Sequence, residues 1–194
     1  AMELRLVGSE MCIRDSRNRL DCASDSSSAL DRMISRSNRL IRRRTVVLIS
    51  LLILLLDQAS KYWARSQLLP NLSQPFLPGL LQLRLVRNTG AAFSMLSDST
   101  ALLGLLSLLV ALGLLGWIWR SKRLDLWLGL ALACLLGGTL GNGIDRWQLG
   151  YVTDFLELVP FRFPIFNGAD IAINLAVLCF AIDALSQRNG QAKS

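Results

Sequence analysis

Residues 100–119 of the chain read TALLGLLSLLVALGLLGWIW, a run without a single charged residue. Three cations follow at once in the turn RSKR at 120–123, and a second apolar run, LWLGLALACLLGGTLGNGI, occupies residues 126–144. A transmembrane helix needs about 20 predominantly apolar residues. The stretch therefore predicts two helices that cross a bilayer in opposite directions and are joined by a short cationic turn.

Two further apolar runs complete the pattern, one at residues 45–63 and one at 171–185. The last of them is expected to begin near Asn167, at the membrane interface. Of the 194 residues, 52% are hydrophobic and 18% are charged, whereas a soluble domain has roughly 25% charged residues. The sequence therefore predicts an all-α membrane protein, a four-transmembrane-helix bundle without a separate soluble domain.

The net charge of +7 follows the predicted membrane topology and so does not indicate nucleic-acid binding. Basic residues form three clusters beside the spans. They are Arg36, Arg39, Arg42, Arg43 and Arg44 before the first span, Arg120, Lys122 and Arg123 in the turn, and Arg188 and Lys193 after the fourth. Because cytoplasmic loops carry an excess of Lys and Arg, both termini are predicted to be cytoplasmic. Loops 64–99 and 145–170, where basic residues are more scattered, then face outward.

Residues 1–32 differ from the rest of the chain because they are serine-rich, mixed in charge and without apolar periodicity. Such a composition predicts disorder. The segment SEMCIRDS at 9–16 is also similar to a translated sequencing adapter, which favours a start at Met33 over a genuine disordered tail. The predicted organisation is a disordered or non-native extension at 1–32, a four-span membrane domain at 33–187 and a cytoplasmic tail at 188–194.

The chain contains no histidine, which removes the Ser-His-Asp and Cys-His hydrolases, histidine metal sites and the most common general base. Its four cysteines lie in the N-terminal segment (Cys12 and Cys22) or inside predicted spans (Cys134 and Cys179), with no CxxC spacing. We therefore predict no disulfide framework, no metal and no cofactor. Any hydrolysis must be carried out by carboxylates.

The first span ends in two charged residues, Asp57 and Lys61. They are four positions apart and share a helix face, so Lys61 can neutralise Asp57. An alternative interpretation is a catalytic dyad in which Ser60 is the nucleophile and Lys61 is the base. Adjacent helical residues, however, point about 100° apart and cannot face each other. We reject that dyad and expect Asp57 and Lys61 to support a site.

Alternating apolar and polar residues at 81–85 predict a half-buried strand in the first outward loop, lying on the membrane surface. Asn88 follows with an amide that both donates and accepts. Gly90 begins a run of small residues that lets another backbone approach closely. Taken alone, these residues are also typical of an ordinary turn before a helix. We predict a small extracytoplasmic β-like segment here.

The third span carries small residues at every fourth position, which predicts close approach by a neighbouring helix. These are Gly129, Ala133, Gly137 and Gly141. At the end of the span, Asn142, Asp145 and Arg146 share a helix face. Because Asp145 and Arg146 are neighbours in sequence, each is expected to have its own partner elsewhere in a polar network.

The fourth span opens with a polar stripe, since Asn167, Asp170 and Asn174 share one face of an otherwise apolar helix. Such a stripe must face the protein interior or a wet cavity. Asp154 lies just before, in the second outward loop. A lone carboxylate at the edge of hydrocarbon costs several kcal/mol and therefore indicates a functional site.

The predicted topology brings four acids to one membrane face: Asp57, Asp145, Asp154 and Asp170. A proton or ion pathway would instead place polar groups near the midplane or along a whole span. Clustering at one interface suits a substrate held by its membrane anchor. We therefore predict a hydrolase-like pocket.

Five short segments carry a resemblance to a known family. In chain order they are DQASK at 57–61, VRNTGAAF at 86–93, GNGIDR at 141–146, VTDF at 152–155 and FNGAD at 166–170. In this order, on a four-span frame, they resemble the signature blocks of signal peptidase II, the lipoprotein signal peptidase. The resemblance covers residues 43–185. Thr153 and Gly168 occupy positions where the family often has apolar residues. These two departures do not affect the aspartates that match the family's motifs.

The resemblance implies a monomeric aspartic endopeptidase of the bacterial cytoplasmic (inner) membrane, surrounded by lipids. It would remove the signal peptide from prolipoproteins by cutting before a cysteine already modified with diacylglycerol. Asp154 and Asp170 would be the catalytic pair. By the same resemblance Asp57, Asn88, Asn142, Arg146 and Asn167 line and stabilise the site, and the patterns above add Lys61, Gly90, Asp145 and Asn174 as supporting residues.

The chemistry of the residues agrees with this implication, because two close carboxylates share a proton at working pH. Two other classes stay open on the sequence alone. One is a small proton-coupled transporter or assembly factor that uses the same acids, and the other is a membrane scaffold that only binds.

Overall fold

The computed structural model describes residues 3–7, 10–14, 20–22, 40–90, 100–160 and 163–191. The chain divides into two compact units, Ala1–Asn38 and Arg39–Ser194. The strands and helices, in chain order, are β1 Glu3–Val7, β2 Glu10–Arg14, β3 Leu20–Cys22, β4 Leu40–Arg42, α1 Arg43–Gln67, β5 Ser73–Leu77, β6 Leu81–Asn88, α2 Thr100–Arg120, β7 Arg123–Asp125, α3 Leu126–Leu149, β8 Val152–Leu158 and α4 Gly168–Gln191.

The first unit contains an antiparallel sheet of β1, β2 and β3. Leu4 lies opposite Ile13, and Leu6 lies opposite Met11. The predicted organisation of residues 1–32, of which the structure describes only these three strands, stays a prediction.

Each predicted span of the second unit is a helix. All four of these helices, within the described residues, are long and apolar enough to cross a membrane. The chain is therefore a multi-pass membrane protein built on a four-helix bundle, as predicted. Helices α1, α3 and α4 extend beyond the predicted 45–63, 126–144 and 171–185 because their ends are polar. A hydropathy limit is drawn where the mainly apolar run ends, whereas the helical backbone continues.

Helix α3 contacts each of the other three helices. Its stripe of small residues faces α1, as the structure shows at two positions. A Cβ atom on Gly137 would lie 2.8 Å from the Ser50 carbonyl oxygen, and one on Gly141 would lie 2.5 Å from Asp57 Oδ2. The predicted close approach is confirmed. It brings the polar end of α1 against the polar end of α3.

Strand β6 lies between β5 and β8 in a three-stranded antiparallel sheet. The strand predicted at 81–85 is confirmed. Its two neighbours were not predicted. In the register of β6 and β8, Val86 lies opposite Asp154 and Asn88 opposite Val152. The sheet thereby holds Asp154 close to the end of β6. Ala91 and Ala92, which complete the small-residue run after Gly90, lie outside the described residues.

Candidate active site

A cavity of about 640 Å³ lies between α3, β8 and the first turns of α4. Its lining combines polar and apolar side chains, and it follows α4 for about two turns. The polar members are Asn88, Asn142, Arg146, Asp154, Asp170 and Asn174. The apolar members are Val152, Phe163, Pro164, Ile165, Phe166, Ile171, Ile173, Leu175 and Leu178. Both predicted catalytic aspartates therefore line one cavity.

Asp154 is the third residue of β8 and is only 2% exposed. Its Oδ2 accepts a hydrogen bond from Asn88 Nδ2 at 2.9 Å, and its Oδ1 accepts one from Asn167 Nδ2 at 2.6 Å. Successive side chains of a strand point to opposite faces. Asp154 therefore lines the cavity while its neighbour Thr153 is directed away from it.

Burial raises the pKa of Asp154 from its ordinary 3.8 to about 6. The hydrogen bond from Asn88 lowers this pKa, and the neighbouring charge of Asp170 raises it. A raised pKa means that the carboxyl still holds its proton at a pH where an exposed aspartate has lost it. Asp154 can therefore remain a neutral, proton-donating carboxyl inside the cavity.

Asp170 lies in the first turn of α4, where it takes part in a reciprocal cap with Asn167. Its Oδ2 accepts the Asn167 backbone N–H at 3.1 Å, and its own N–H donates to Asn167 Oδ1 at 3.1 Å. This arrangement is a capping box, which satisfies two backbone donors at the helix start. Asp170 Oδ1 also accepts a hydrogen bond from Asn142 Nδ2 at 2.9 Å. The acid is thus held rigidly at the positive end of the helix dipole.

Three asparagine amides have only one orientation open to them. Asn88 Oδ1 accepts the Gly90 N–H at 3.0 Å, Asn142 Oδ1 accepts from Lys61 Nζ at 2.9 Å, and Asn167 Oδ1 accepts a backbone N–H of α4. Because each amide oxygen faces a donor, each NH2 group is directed at a carboxylate. The three amides therefore act as fixed donors to the two acids.

Lys61 is fully buried and has an acceptor for each of its three N–H donors. These are Asp57 Oδ2 at 2.8 Å, Asn142 Oδ1 at 2.9 Å and Asp145 Oδ2 at 3.4 Å. The predicted pairing of Asp57 with Lys61 is confirmed. Asp57 also accepts the Ala169 backbone N–H on Oδ1 at 2.8 Å, so an acid of α1 caps the start of α4. Lys61 and Asp57 together join α1, α3 and α4.

The hydroxyl of Ser60 donates to the Asp57 carbonyl oxygen at 2.8 Å, within its own helix. This local hydrogen bond is a common arrangement for helical serines. Ser60 is also absent from the cavity lining. The rejected Ser60/Lys61 dyad therefore has no support in the geometry.

Asp145 and Arg146 have separate partners, as predicted for neighbours in a helix. Asp145 Oδ2 accepts the Thr153 backbone N–H at 2.9 Å, directly before Asp154 in β8. Arg146 donates to the Asn142 carbonyl at 3.2 Å and to the Gly90 carbonyl at 3.1 Å. One residue thus holds β8 and the other holds the segment that follows β6.

Two residues of this network, Arg65 and Gln58, were not predicted from the sequence. Arg65 donates to Thr153 Oγ1 at 2.9 Å and lies 3.8 Å from Asp145 Oδ1. Gln58 Nε2 donates to a backbone carbonyl of α3 at 3.0 Å. The position of Arg65, four residues after Lys61, was a signal that could have indicated it. Gln58 gave none, because polar residues are ordinary near a helix end.

The polar stripe of α4 changes character along its length. Asn167 is fully buried, Asp170 is half-buried, and Asn174 is exposed. Asn174 donates to the Asp170 carbonyl at 2.9 Å and lines the cavity with its side chain. The stripe therefore faces a cavity, one of the two environments predicted for it.

We expect Gly141→Ala to disturb the site without removing any polar group. The new Cβ would lie 2.5 Å from Asp57 Oδ2, so Asp57 must move away from Lys61 and from the start of α4. Overpacking of this kind costs about 1–3 kcal/mol. The thermal unfolding midpoint in detergent and the rate of substrate turnover should both fall. Gly116→Ala is the matched control, because a Cβ there has no neighbour within 4 Å. An unchanged Gly141→Ala protein would contradict the packing described.

The fold and the site define a class: a polytopic helical membrane protein with two hydrogen-bonded carboxyls in a cavity at one end of its bundle. Among the described residues, no group of three or more His, Cys, Asp and Glu side chains could hold a metal ion. The family model of signal peptidase II matches residues 49–186. The chain therefore belongs to the signal peptidase II family.

Individual relatives are similar over most of their length. A lipoprotein signal peptidase of Parasynechococcus marenigrum is 56% identical over 149 residues, 77% of this chain and 94% of the relative. One from Pseudomonas fluorescens is 41% identical, over 74% of this chain and 89% of the relative. A bacterial membrane enzyme solved by the in meso method at 2.3 Å resolution has a TM-score of 0.70 at 28% identity, covering 75% of this chain and 90% of that one. These relatives agree with the activity class that the resemblance implied, a membrane peptidase.

Proposed function

We propose that the chain is an aspartic endopeptidase whose catalytic pair is Asp154 and Asp170. The observation that carries the proposal is that both carboxyls line one cavity, where asparagine NH2 groups hold each of them. In the described lining of this cavity, no Ser, Thr, Cys or Lys side chain is available as a nucleophile. Two carboxyls that share a proton are a general acid and base together.

In the proposed reaction a water molecule lies between the two carboxyls and the scissile carbonyl. The ionised carboxylate takes a proton from the water as its oxygen bonds to the carbonyl carbon. The protonated carboxyl donates to the carbonyl oxygen, which gives a neutral tetrahedral intermediate. When the C–N bond breaks, the first carboxyl returns its proton to the leaving nitrogen, and the second recovers its proton from the intermediate's hydroxyl.

The supporting residues act in this proposal by position. Asn88, Asn142 and Asn167 direct N–H donors at the acids and stabilise the charge they carry between steps. The remaining supporting residues hold these amides and the start of α4 in place. They are Asp57, Lys61, Gly90, Asp145, Arg146 and Asn174.

The proposed substrate is a prolipoprotein whose cysteine carries diacylglycerol, cut just before that cysteine. Two observations support it. The relatives are lipoprotein signal peptidases by name. The cavity follows α4 past Ile171, Leu175 and Leu178, and exposed apolar residues of a spanning helix face lipid. A substrate anchored in the bilayer can therefore present its peptide bond to the acids while its chains remain in hydrocarbon.

The purified full-length chain, reconstituted in vesicles, tests this proposal. It should cleave a diacylglyceryl-modified prolipoprotein and leave the same precursor uncut when the cysteine is unmodified. If neither precursor is cleaved, the proposed peptidase activity is excluded. Proton flux in that case would indicate the transporter alternative. The predicted monomeric state is tested by size measurement of the active protein in the same preparation, which should give one chain.

The activity should decrease as the pH rises above about 6. Asp154 has a pKa of about 6, and loss of its proton removes the acid that donates to the carbonyl oxygen. The protonated fraction then decreases roughly tenfold per pH unit, and kcat/KM should follow it. Asn88→Ala removes a hydrogen bond that lowers this pKa, so the decline should begin at higher pH in that variant. A profile that is flat from pH 5 to pH 9 would contradict the shared proton.

We further propose that the protein lies in the bacterial cytoplasmic membrane with both termini in the cytoplasm and the acids near the outer face. The cationic residues at the start of α1 and in the turn after α2 support this orientation. Single cysteines at Ser73 and Gln148, in a background without native cysteines, should react with an impermeant thiol reagent added to intact cells. One at Ser121 should not react. The opposite labelling pattern would show that the protein has the reverse orientation in the membrane.

A further inference from the structure

The two strands β4 and β7 form a small antiparallel ribbon, at the end of the bundle away from the two acids. Asn142 is 16 residues from the start of α3, about 24 Å along the helix. Six cations lie on or beside these strands, and we call them the cationic ribbon. They are Arg42, Arg43, Arg44, Arg120, Lys122 and Arg123.

Like charges face each other in this ribbon. Arg42 lies directly opposite Arg123 in the strand register, and like charges in that position destabilise a strand pair. In the part of the chain that the structure describes, no acidic group lies within salt-bridge distance of the six cations. Five of them are exposed, and Arg43 is half-buried. The ribbon itself contains one acid, Asp125 at the end of β7, so the arrangement presents an excess of positive charge.

Apolar surface adjoins these charges. The side chain of Trp119 is 74% exposed, and that of Leu40, in β4 itself, is 55% exposed. The Arg43 guanidinium stacks over the Trp119 ring at 5.1 Å from its centroid, and donates to the Trp119 carbonyl at 3.2 Å. Exposed tryptophan is typical of the boundary between hydrocarbon and headgroups. Charge and apolar surface thus lie side by side, as the two parts of a phospholipid do.

We propose that the cationic ribbon is a binding site for anionic phospholipid headgroups. Arg42 and Arg123 bind the phosphate from both strands, since guanidinium groups form paired hydrogen bonds with phosphate oxygens. Trp119 and Leu40 contact the upper part of the acyl chains. The apolar contact is the reason for choosing a lipid over a soluble phosphate or a nucleic acid, neither of which would cover it.

Lipid binding at the ribbon should affect the rest of the fold, because each of its two strands leads directly into a transmembrane helix. Helix α1 follows β4 directly, and α3 follows β7 directly. A phosphate between Arg42 and Arg123 removes their repulsion, so bound lipid should hold the starts of α1 and α3 together. We therefore expect an anionic lipid to raise the thermal stability of the whole bundle, which a zwitterionic lipid of the same chain length should not do.

Native mass spectrometry of the full chain in detergent, titrated with phosphatidylglycerol or phosphatidylcholine of identical chains, tests the proposal. The wild-type protein should retain phosphatidylglycerol selectively. Arg42→Gln with Arg123→Gln should weaken that binding by roughly tenfold or more, and should abolish the stabilisation by phosphatidylglycerol. Arg84→Gln with Arg87→Gln removes two cations from β6, at the other end of the bundle, and should leave both properties unchanged.

Three results would overturn the proposal: equal binding of the two lipids, equal loss in both double variants, or displacement of the lipid by glycerol phosphate at comparable concentration. The last would show a site for free phosphate. If Arg42→Gln with Arg123→Gln does not fold, Arg120→Gln with Lys122→Gln replaces it, because these residues lie outside the strand pair. Arg42→Lys with Arg123→Lys keeps the charge and should retain selectivity for phosphatidylglycerol.

Discussion

Asp154→Asn and Asp170→Asn are each expected to abolish turnover while the protein still inserts and folds. Either change keeps the size of the side chain but removes one member of the pair that shares a proton. We expect kcat to decrease on the order of 10⁴-fold, and the double variant to be no worse than either single one, because residues that act as a unit are not additive. Cleavage of the modified prolipoprotein by purified protein measures this.

Two controls separate catalysis from folding in that experiment. The unfolding midpoint in detergent should show that both variants retain the bundle. Ser60→Ala should keep most of the activity, since the Ser60 hydroxyl only bonds within its own helix. Substantial cleavage by Asp154→Asn, or a folded but inactive Ser60→Ala protein, would be incompatible with the aspartic mechanism.

Lys61→Met is expected to cause the largest loss of stability in the chain. The substitution leaves three buried acceptors, Asp57, Asn142 and Asp145, without their shared donor. Removing one partner of a buried charge pair costs about 3–5 kcal/mol, because the remaining charge is buried and uncompensated. The free energy of unfolding in mixed micelles should fall by this amount, and activity should fall with it.

The matched control is Arg84→Met, which also removes a cation in an ion pair. The Arg84 guanidinium lies 3.5 Å from Glu157 and its side chain is 39% exposed, so this change should cost no more than about 1 kcal/mol. Adding Asp57→Asn to Lys61→Met should restore part of the loss, since the acid no longer needs a partner. If Lys61→Met and Arg84→Met lower the free energy of unfolding equally, the buried contacts of Lys61 do not contribute the stability proposed here.

The helices of this fold were predictable because membrane spans are encoded locally. A run of about 20 apolar residues must be helical in a bilayer, where every backbone group needs an internal partner. The stripe ending at Gly141 predicted which face of α3 packs closely. Strands β5 and β8 were missed because their residues do not alternate clearly, and β5 contains Pro75. Their pairing with β6 depends on contacts between distant segments.

The acids of the candidate site were predictable because a carboxylate beside apolar runs has few structural explanations. The way they are held was not. Asp57 caps the start of α4 only because α1 and α4, which are more than 100 residues apart in sequence, are in contact at this point. The contact between Arg65 and Thr153 requires β8 to lie against α1. Spacing within one helix indicates which residues share a face, but not which distant segment that face will meet.

The position of Lys61 one helical turn after Asp57 has a consequence for biosynthesis. Helix α1 leaves the ribosome before α3 and α4, which supply the other partners of these two residues. A lone aspartate could enter hydrocarbon only at a high cost as an ion, or after taking up a proton. Because its first partner is on the same helix, α1 can enter hydrocarbon with the pair already neutralised. The same lysine then receives Asn142 and Asp145 when α3 arrives, and the oxygen of Asp57 that Lys61 leaves open is available to orient the last helix of the chain.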